Sequence, residues 1–92
     1  MAAASRHAIA RALGRARAQI ARLAALRQAL GIGRAELADA LGTTRQTIYR
    51  WEHGQAVPSA LDLWAWAAAL GVTLGEIEGV TEPVTLAAEG AP

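Results

Sequence analysis

The stretch that decides the fold is residues 36–54, which read ELADALGTTRQTIYRWEHG. Ala38, Gly42 and Ile48 stand here at the spacing required by two short helices that are joined by a tight turn. A steep crossing between two helices has room only for a side chain as small as alanine, and the turn needs a residue that can take a positive φ. The second helix must also place an apolar side chain in the shared core. The residues predicted to form that core are Leu37, Ala38, Leu41 and Ile48.

Glycines and prolines outside this stretch divide the chain into further helices. Between Ser5 and Leu30, apolar residues recur at steps of three and four, which predicts one long amphipathic helix, either continuous or hinged at Gly14. A serine or threonine followed three positions later by a carboxylate predicts the start of each of the last two helices. The shorter helices are predicted at residues 34–41 after an N-cap at Gly33, from Thr43 or Thr44 to about His53, from Ser59 to Leu70, and from Thr73 onward.

The composition agrees with an all-α fold. Alanine accounts for 24 of the 92 residues, and 53% of the chain is hydrophobic. Alanine is the strongest helix former and occupies little volume, whereas a sheet would need β-branched and aromatic residues. We therefore expect a helical extension at residues 1–22 that continues into the first helix, a helical domain at residues 23–78, and a tail at residues 79–92 that is flexible or forms a short strand.

Several classes of protein are excluded by what the sequence lacks. It contains no cysteine, which rules out disulfide scaffolds, zinc fingers, iron–sulfur sites and thiol catalysis. His7 and His53 are far apart and have no second ligand at helical spacing, so we expect neither a metal nor a cofactor. No apolar run reaches the ~18 residues of a membrane span, and arginines interrupt the N-terminal stretch where a secretory signal would be apolar. We expect a cytoplasmic protein with no membrane partner.

The net charge of +1 conceals a strong asymmetry between the two halves of the chain. Residues 1–50 contain all nine arginines and only two carboxylates, whereas residues 51–92 contain six carboxylates and no arginine or lysine. Such asymmetry is typical of proteins that bind a polyanion, either a nucleic acid or an anionic membrane surface. The charge pattern therefore favours a polyanionic partner over a chance segregation of charge.

A longer stretch, Leu26 to Ile77, closely resembles the lambda-repressor/Cro-like (XRE family) helix-turn-helix domains of bacterial and phage repressors. The resemblance rests on the block quoted above, on the helix start at Pro58 and Ser59, and on the later segment ALGVTLGEI. It implies an all-α domain of five helices that binds double-stranded DNA in a bacterial or phage setting. The turn would then be residues 42–44, and the recognition helix would be residues 45–52.

The sequence departs from the family pattern at two positions. Gly33 stands where the family usually has Ser, Thr or Asn, and His53 stands where it usually has Asn. We expect these changes to weaken a helix cap or a phosphate contact slightly and to leave the fold intact. His53 lies near a helix C-terminus, where the helix dipole can satisfy it; the alternative is a contact to phosphate.

The resemblance also implies which residues meet DNA. Gln46 can pair with adenine and Arg45 with guanine, each through two hydrogen bonds worth about 1 to 3 kcal/mol of discrimination, and Tyr49 can contact a thymine methyl or a sugar edge. Arg34 matches a position that holds phosphate, with the help of backbone N–H groups at its helix N-terminus. The residues expected at the DNA are Arg34, Thr44, Arg45, Gln46, Thr47, Tyr49, Arg50 and His53.

Arg27 and Glu52 match positions that form an ion pair in related repressors, which implies a structural role for both. Glu52 is then part of the scaffold. No second carboxylate, nucleophile with a base, or Gly-rich phosphate loop accompanies it in the sequence, so we expect no enzymatic activity.

The predicted fourth helix, ALDLWAWAAAL at residues 60–70, is apolar on almost every side. Such a helix is normally buried on more than one face. The family resemblance implies that its core face is Ala60, Leu63, Trp66, Ala67 and Leu70. The second apolar stripe, hereafter the α4 stripe, consists of Leu61, Trp64, Ala65 and Ala68. We expect the α4 stripe to form an interface, most simply in a two-fold homodimer; the alternative is that the N-terminal helix of the same chain covers it.

Three functions remain open from the sequence. The first is a sequence-specific DNA-binding transcriptional regulator, a repressor, that acts as a homodimer on a pseudo-palindromic operator. The second is an antitoxin that binds a toxin protein and regulates its own operon. The acidic tail with Glu82 and Glu89 would then bind a basic partner. The third is a control protein of a phage or a restriction system.

Overall fold

The computed structural model describes residues 5–80, and the side chains of residues 5–77. Five helices follow one another in this region: α1 (Arg6–Ala29), α2 (Arg34–Leu41), α3 (Arg45–Glu52), α4 (Ala60–Ala69) and α5 (Leu74–Val80). The predicted all-α, five-helix fold class is confirmed. α5 includes the first two residues of the tail predicted from residue 79, and the rest of that tail lies outside the described residues.

Local sequence signals account for where the helices begin. Thr44, and not Thr43, is the N-cap of α3, and its hydroxyl oxygen accepts a hydrogen bond from the amide of Thr47 at 3.1 Å. Ser59 and Asp62 form a full capping box at the start of α4. Gly33 caps α2 without any side-chain hydrogen bond. Hydroxyl caps occupy backbone N–H groups that a helix leaves unpaired, so they define where each helix starts.

The turn between α2 and α3 depends on a glycine. Gly42 has a φ of 71°, in the left-handed region, and its amide donates to the carbonyls of Ala38 and Asp39 at the end of α2. A residue with a Cβ is strained in this conformation, whereas glycine is not. The positive φ predicted for this position therefore allows the chain to leave α2 and enter α3 within three residues.

The core lies where α2, α3 and α4 pack against the C-terminal half of α1. Leu23, Leu37, Ile48 and Trp66 are at most 1% exposed, and Ala38 at the α2 crossing is 2% exposed. The rings of Trp51 and Trp66 stack with centroids 5.9 Å apart. Full burial of one large apolar side chain contributes about 1.5 to 3 kcal/mol, so these few residues provide much of the stability of the domain.

The structure corrects part of the prediction for α4. Leu63, Trp66, Ala67 and Leu70 are buried as expected, but Ala60 is exposed because it is the first residue of the helix, where no other element covers it. All four residues of the α4 stripe are exposed, with Leu61 at 73% and Trp64 at 62%. The N-terminal helix of the same chain therefore does not cover the α4 stripe.

α1 is one continuous helix that passes through Gly14 without a break. Its 24 residues make it about 36 Å long at 1.5 Å per residue. The first buried residue along it is Ile20, whereas Ile9 and Leu13 are 51% and 44% exposed. The N-terminal half of α1 thus extends beyond the core.

None of the helices in residues 5–80 has the length and apolar character that crossing a bilayer requires.

Candidate nucleic-acid interface

α3 divides its side chains between the core and the surface. Ile48 and Trp51 are buried, whereas Arg45, Gln46, Tyr49 and Arg50 are exposed. Residues three and four positions apart share a face of a helix, so burial of the first two residues directs the other side chains outward. The exposed face presents a guanidinium, an amide and a phenol side by side, which are groups that form hydrogen bonds with base edges.

Arg34 joins this face from the start of α2. Arg34, Arg45, Gln46 and Tyr49 line one open depression on the surface, although Arg34 is far from the other three in the sequence. The first turns of α2 and α3 are therefore neighbours. Backbone N–H groups at a helix start favour phosphate, so the depression combines an anion-binding edge with side chains able to contact bases.

Tyr49 lies at the centre of a small stack. The guanidinium carbon of Arg34 is 5.2 Å from the centroid of the Tyr49 ring, and the imidazole of His53 stacks on the same ring with centroids 3.8 Å apart. His53 Nδ1 donates to the backbone oxygen of Tyr49 at 2.8 Å. A carbonyl oxygen can only accept, so the proton lies on Nδ1 and Nε2 is the nitrogen that can bind another group.

The hydroxyl groups of the two threonines at the start of α3 form hydrogen bonds within the helix start. Thr44 Oγ1 accepts from the Thr47 amide, and the two hydroxyl groups are 2.9 Å apart. Thr44 is exposed and Thr47 is half-buried. This pair fixes the first turn of α3 and so fixes the direction in which the neighbouring Arg45 and Gln46 leave the helix.

A shared carboxylate ties three helices together behind this surface. Glu52 Oε2 accepts from Arg27 Nε at 2.7 Å, and Glu52 Oε1 accepts from Arg27 Nη2 at 3.1 Å and from Arg34 Nε at 2.9 Å. Arg27 Nη1 also donates to the backbone oxygen of Ile32 at 2.7 Å. The side chains of Arg27 and Glu52 are 7% and 3% exposed. The position of Arg34 at the surface is thus set from inside the domain.

The charge state of Glu52 follows from these contacts. Burial by itself would raise the pKa of Glu52, but the hydrogen bonds and positive charges of Arg27 and Arg34 outweigh burial, and the net result is a pKa below the ordinary value of 4.5. Glu52 is therefore ionised at neutral pH. It offers no proton to a substrate, which agrees with a structural role.

The end of α3 is also fixed by backbone hydrogen bonds. The carbonyl of Arg50 accepts from the amides of Gln55 and Ala56 at 2.8 and 3.3 Å. The Arg50 side chain stays exposed on the helix surface.

In the part of the chain that the structure describes, no group of three His, Asp or Glu side chains is placed to hold a metal ion.

The helix-turn-helix family model HTH_3 matches residues 23–77, more than half of the chain. The chain belongs to this helix-turn-helix family. The match confirms the lambda-repressor-like (XRE) resemblance. No curated protein and no solved structure matches the chain. The family consists of DNA-binding transcription regulators and is typically non-enzymatic, so this helix-turn-helix protein is a DNA-binding regulator in that general sense.

The structure brings most of the expected DNA-contacting residues of this helix-turn-helix protein onto one surface. Four of them line the common depression, and His53 stacks on Tyr49, one of the four; the two threonines lie at the start of α3 and do not line the depression. Arg50 is exposed near the C-terminal end of the same helix. The α4 stripe does not contribute to the depression.

Two contacts of the helix-turn-helix surface were missed by the sequence analysis. The stack of Tyr49 on His53 has a signal in the sequence, because side chains four positions apart are neighbours on a helix. The ion pair between Arg34 and Glu52 has none, because 18 positions separate the two residues and only the packing of α2 against α3 brings them together.

Proposed function

We propose that the protein is a sequence-specific transcriptional repressor that binds a pseudo-palindromic operator as a homodimer. The observation that carries the proposal is the single depression lined by Arg34, Arg45, Gln46 and Tyr49 at the exposed face of α3. In this proposal residues 23–78 are the DNA-binding domain, and residues 6–22 extend its first helix; the first four residues of the predicted extension lie outside the described residues.

Each residue has a role that matches its chemistry. Arg45 reads guanine and Gln46 reads adenine in the major groove, and Tyr49 contacts a thymine methyl or a sugar edge. Arg34 and Arg50 bind backbone phosphates, as does His53 through Nε2–H when both ring nitrogens carry a proton, and these contacts set the orientation of the protein on the duplex. The ion pair of Arg34 with Glu52 supports this assignment, because it holds that guanidinium beside the base-reading face.

A dimer follows from the small reach of one recognition helix. A single helix reads only a few base pairs, and two copies placed one helical turn apart, about 34 Å, read a pseudo-palindrome. The exposed α4 stripe, with a tryptophan and a leucine at its start, supports the presence of a protein interface.

DNA recognition is tested by selecting binding sites for the full chain from a random duplex library. We expect an enriched, roughly two-fold symmetric site. On that site, Arg45→Ala and Gln46→Ala should each lose about 1 to 3 kcal/mol of binding free energy and relax the preference at one base pair in each half-site. Gln28→Ala, which removes an exposed polar side chain of α1 away from the depression, is the matched control and should retain the preference. Enrichment of no sequence would contradict the proposal.

The dimer is tested by light scattering of the wild-type protein and of Trp64→Glu. We expect a dimer that this substitution converts to a monomer, since a charge would be buried in the interface. Gln28→Glu adds the same charge at another exposed position and should leave the dimer intact. A monomeric wild-type protein would contradict the homodimer.

The exposure of Trp64 and Leu61 also supports a second candidate, an antitoxin that binds a toxin protein through the α4 stripe and regulates its own operon. A monomeric wild-type protein would favour this candidate. The direct test applies if a short reading frame lies next to that of this chain: it is expressed with and without the chain. Arrest of growth that the wild type relieves and Trp64→Glu does not relieve would support the antitoxin function.

A further inference from the structure

Two of the exposed apolar surfaces of the described chain are helix faces with large side chains. One is the α4 stripe. The other is on the N-terminal half of α1, residues 6–17, hereafter the arm, where Ile9 is 51% exposed and Leu13 is 44% exposed. Both are helix surfaces with a large aliphatic or aromatic side chain at their centre. Apolar surfaces of this kind on a small protein commonly mark an interface.

The arm is shaped to pack against another helix. Ile9, Leu13 and Ile20 follow the same face of α1 that enters the core at its C-terminal half, so the apolar face continues past the last core contact. Beside it, Leu13 and Ile20 line a mainly apolar groove of about 180 Å³ together with Trp51 and Val57; Arg17 and Glu52 also line it. The groove is open to solvent and lies next to the exposed edge of the arm, where a large side chain can enter.

Charge identifies the surface that fits the arm. Residues 5–22 contain five arginines and no carboxylate, whereas residues 59–77, which include the α4 stripe, contain Asp62 and Glu76 and no arginine or lysine. A contact between two arms, or between two α4 stripes, would bring like charges together. A contact between an arm and an α4 stripe brings opposite charges together, which favours that pairing. Within one chain the two surfaces do not meet, because the α4 stripe is exposed.

We propose that the arm of each protomer packs on the α4 stripe of its partner, so that two reciprocal contacts form one two-fold interface. Ile9 and Leu13 of one protomer cover Leu61 and Trp64 of the other, and the groove beside Leu13 receives the indole of the partner's Trp64. This inference rests on the proposed homodimer and specifies which surfaces form it. It also gives the long first helix a function that the helix-turn-helix core does not need.

The absence of cysteine from the chain makes a cross-linking test direct. Leu13→Cys and Ala65→Cys are prepared as separate full-length proteins with tags of different size, mixed, and treated with a short bismaleimide. We expect a cross-linked product that contains both tags, and much less product from either variant alone. Gln28→Cys mixed with Ala65→Cys is the control pair and should give no such product, because Gln28 lies outside the arm.

Different results would separate this inference from the proposed dimer. If Ala65→Cys cross-links efficiently to itself, two α4 stripes face each other. The proposed packing of the arm on the α4 stripe is then wrong, whereas the proposed homodimer is supported. A wild-type monomer in light scattering would overturn both. If no cross-link forms although the wild type is a dimer, the dissociation constant of the Leu13→Glu dimer is measured. Packing of the arm on the partner's α4 stripe requires that this dimer be at least tenfold weaker than the wild type. An unchanged dissociation constant would refute the packing. Ala8→Glu adds the same charge to a different face of the arm and should have little effect.

Discussion

Glu52 and Arg27 form a two-point ion pair across 25 positions of sequence, with Nε–Oε2 and Nη2–Oε1 distances of 2.7 and 3.1 Å. The same carboxylate also accepts from Arg34, at the edge of the proposed DNA surface. One buried group therefore connects α1, α2 and α3. The geometry of the recognition surface depends on this connection as well as on the helix-turn-helix core.

Glu52→Gln should destabilise the fold by about 3 kcal/mol at pH 7, because it leaves the buried Arg27 without a counter-charge. The lowered pKa of Glu52 sets the pH dependence. A carboxyl group whose pKa is lower in the folded state adds stability above its unfolded pKa and loses it as the pH falls through the folded value. The difference between wild type and variant should therefore be constant above about pH 5 and shrink in more acidic solution.

Urea unfolding at a series of pH values measures this difference. Asp39→Asn is the matched control, since it removes one exposed carboxylate from α2. It should change stability by less than about 0.5 kcal/mol. A Glu52→Gln effect as small as that of the control would show that the ion pair contributes nothing net to folding.

Two glycine substitutions should change stability in opposite directions. Gly42→Ala places a Cβ at a φ of 71° and should cost about 1 kcal/mol or more. Gly14→Ala replaces a glycine within α1 that has open space around it, and should stabilise the protein by about 0.5 to 1 kcal/mol. Thermal unfolding followed by circular dichroism measures both. Equal signs for the two variants would contradict the roles assigned to these glycines.

Removal of the α3 cap should weaken both folding and DNA binding. Thr44→Ala loses the oxygen that accepts from the Thr47 amide, at a cost of about 1 kcal/mol. Thr44→Ser keeps that oxygen and should retain most of the stability. Chemical unfolding and titration with the selected duplex measure the two effects. If the serine variant were as unstable as the alanine variant, the methyl group of Thr44, and not its cap, would be the stabilising feature.

Affinity for the selected duplex should depend steeply on salt. If each subunit of a dimer neutralises about three phosphates, log K should fall against log salt with a slope near −5. Arg50→Gln should reduce the magnitude of that slope by about 2, because each dimer loses two phosphate contacts. Fluorescence anisotropy between low and moderate salt measures the slope. An unchanged slope would place Arg50 away from the DNA backbone.

The sequence by itself determined the helices and their ends. Periodic apolar residues, hydroxyl caps at Ser59 and Thr73, and a glycine at position 42 act within a few neighbouring residues, so their effects can be predicted locally. The same local pattern identified the lambda-repressor-like family and the residues of the recognition helix. The sequence pattern could not show that Ala60 is exposed. α4 is apolar on nearly every side, so the neighbouring helices decide which of its residues are covered.

The packing of the helices sets the contacts between distant residues that the sequence left open. The ion pair of Arg34 with Glu52, the depression that Arg34 completes, and the choice between a covered and an exposed α4 stripe all follow from that packing. Periodicity shows that a helix has an apolar face but does not name the surface that covers it. Burial and ion pairing between distant residues are set by the distances between helices, and those distances exist only in the folded chain.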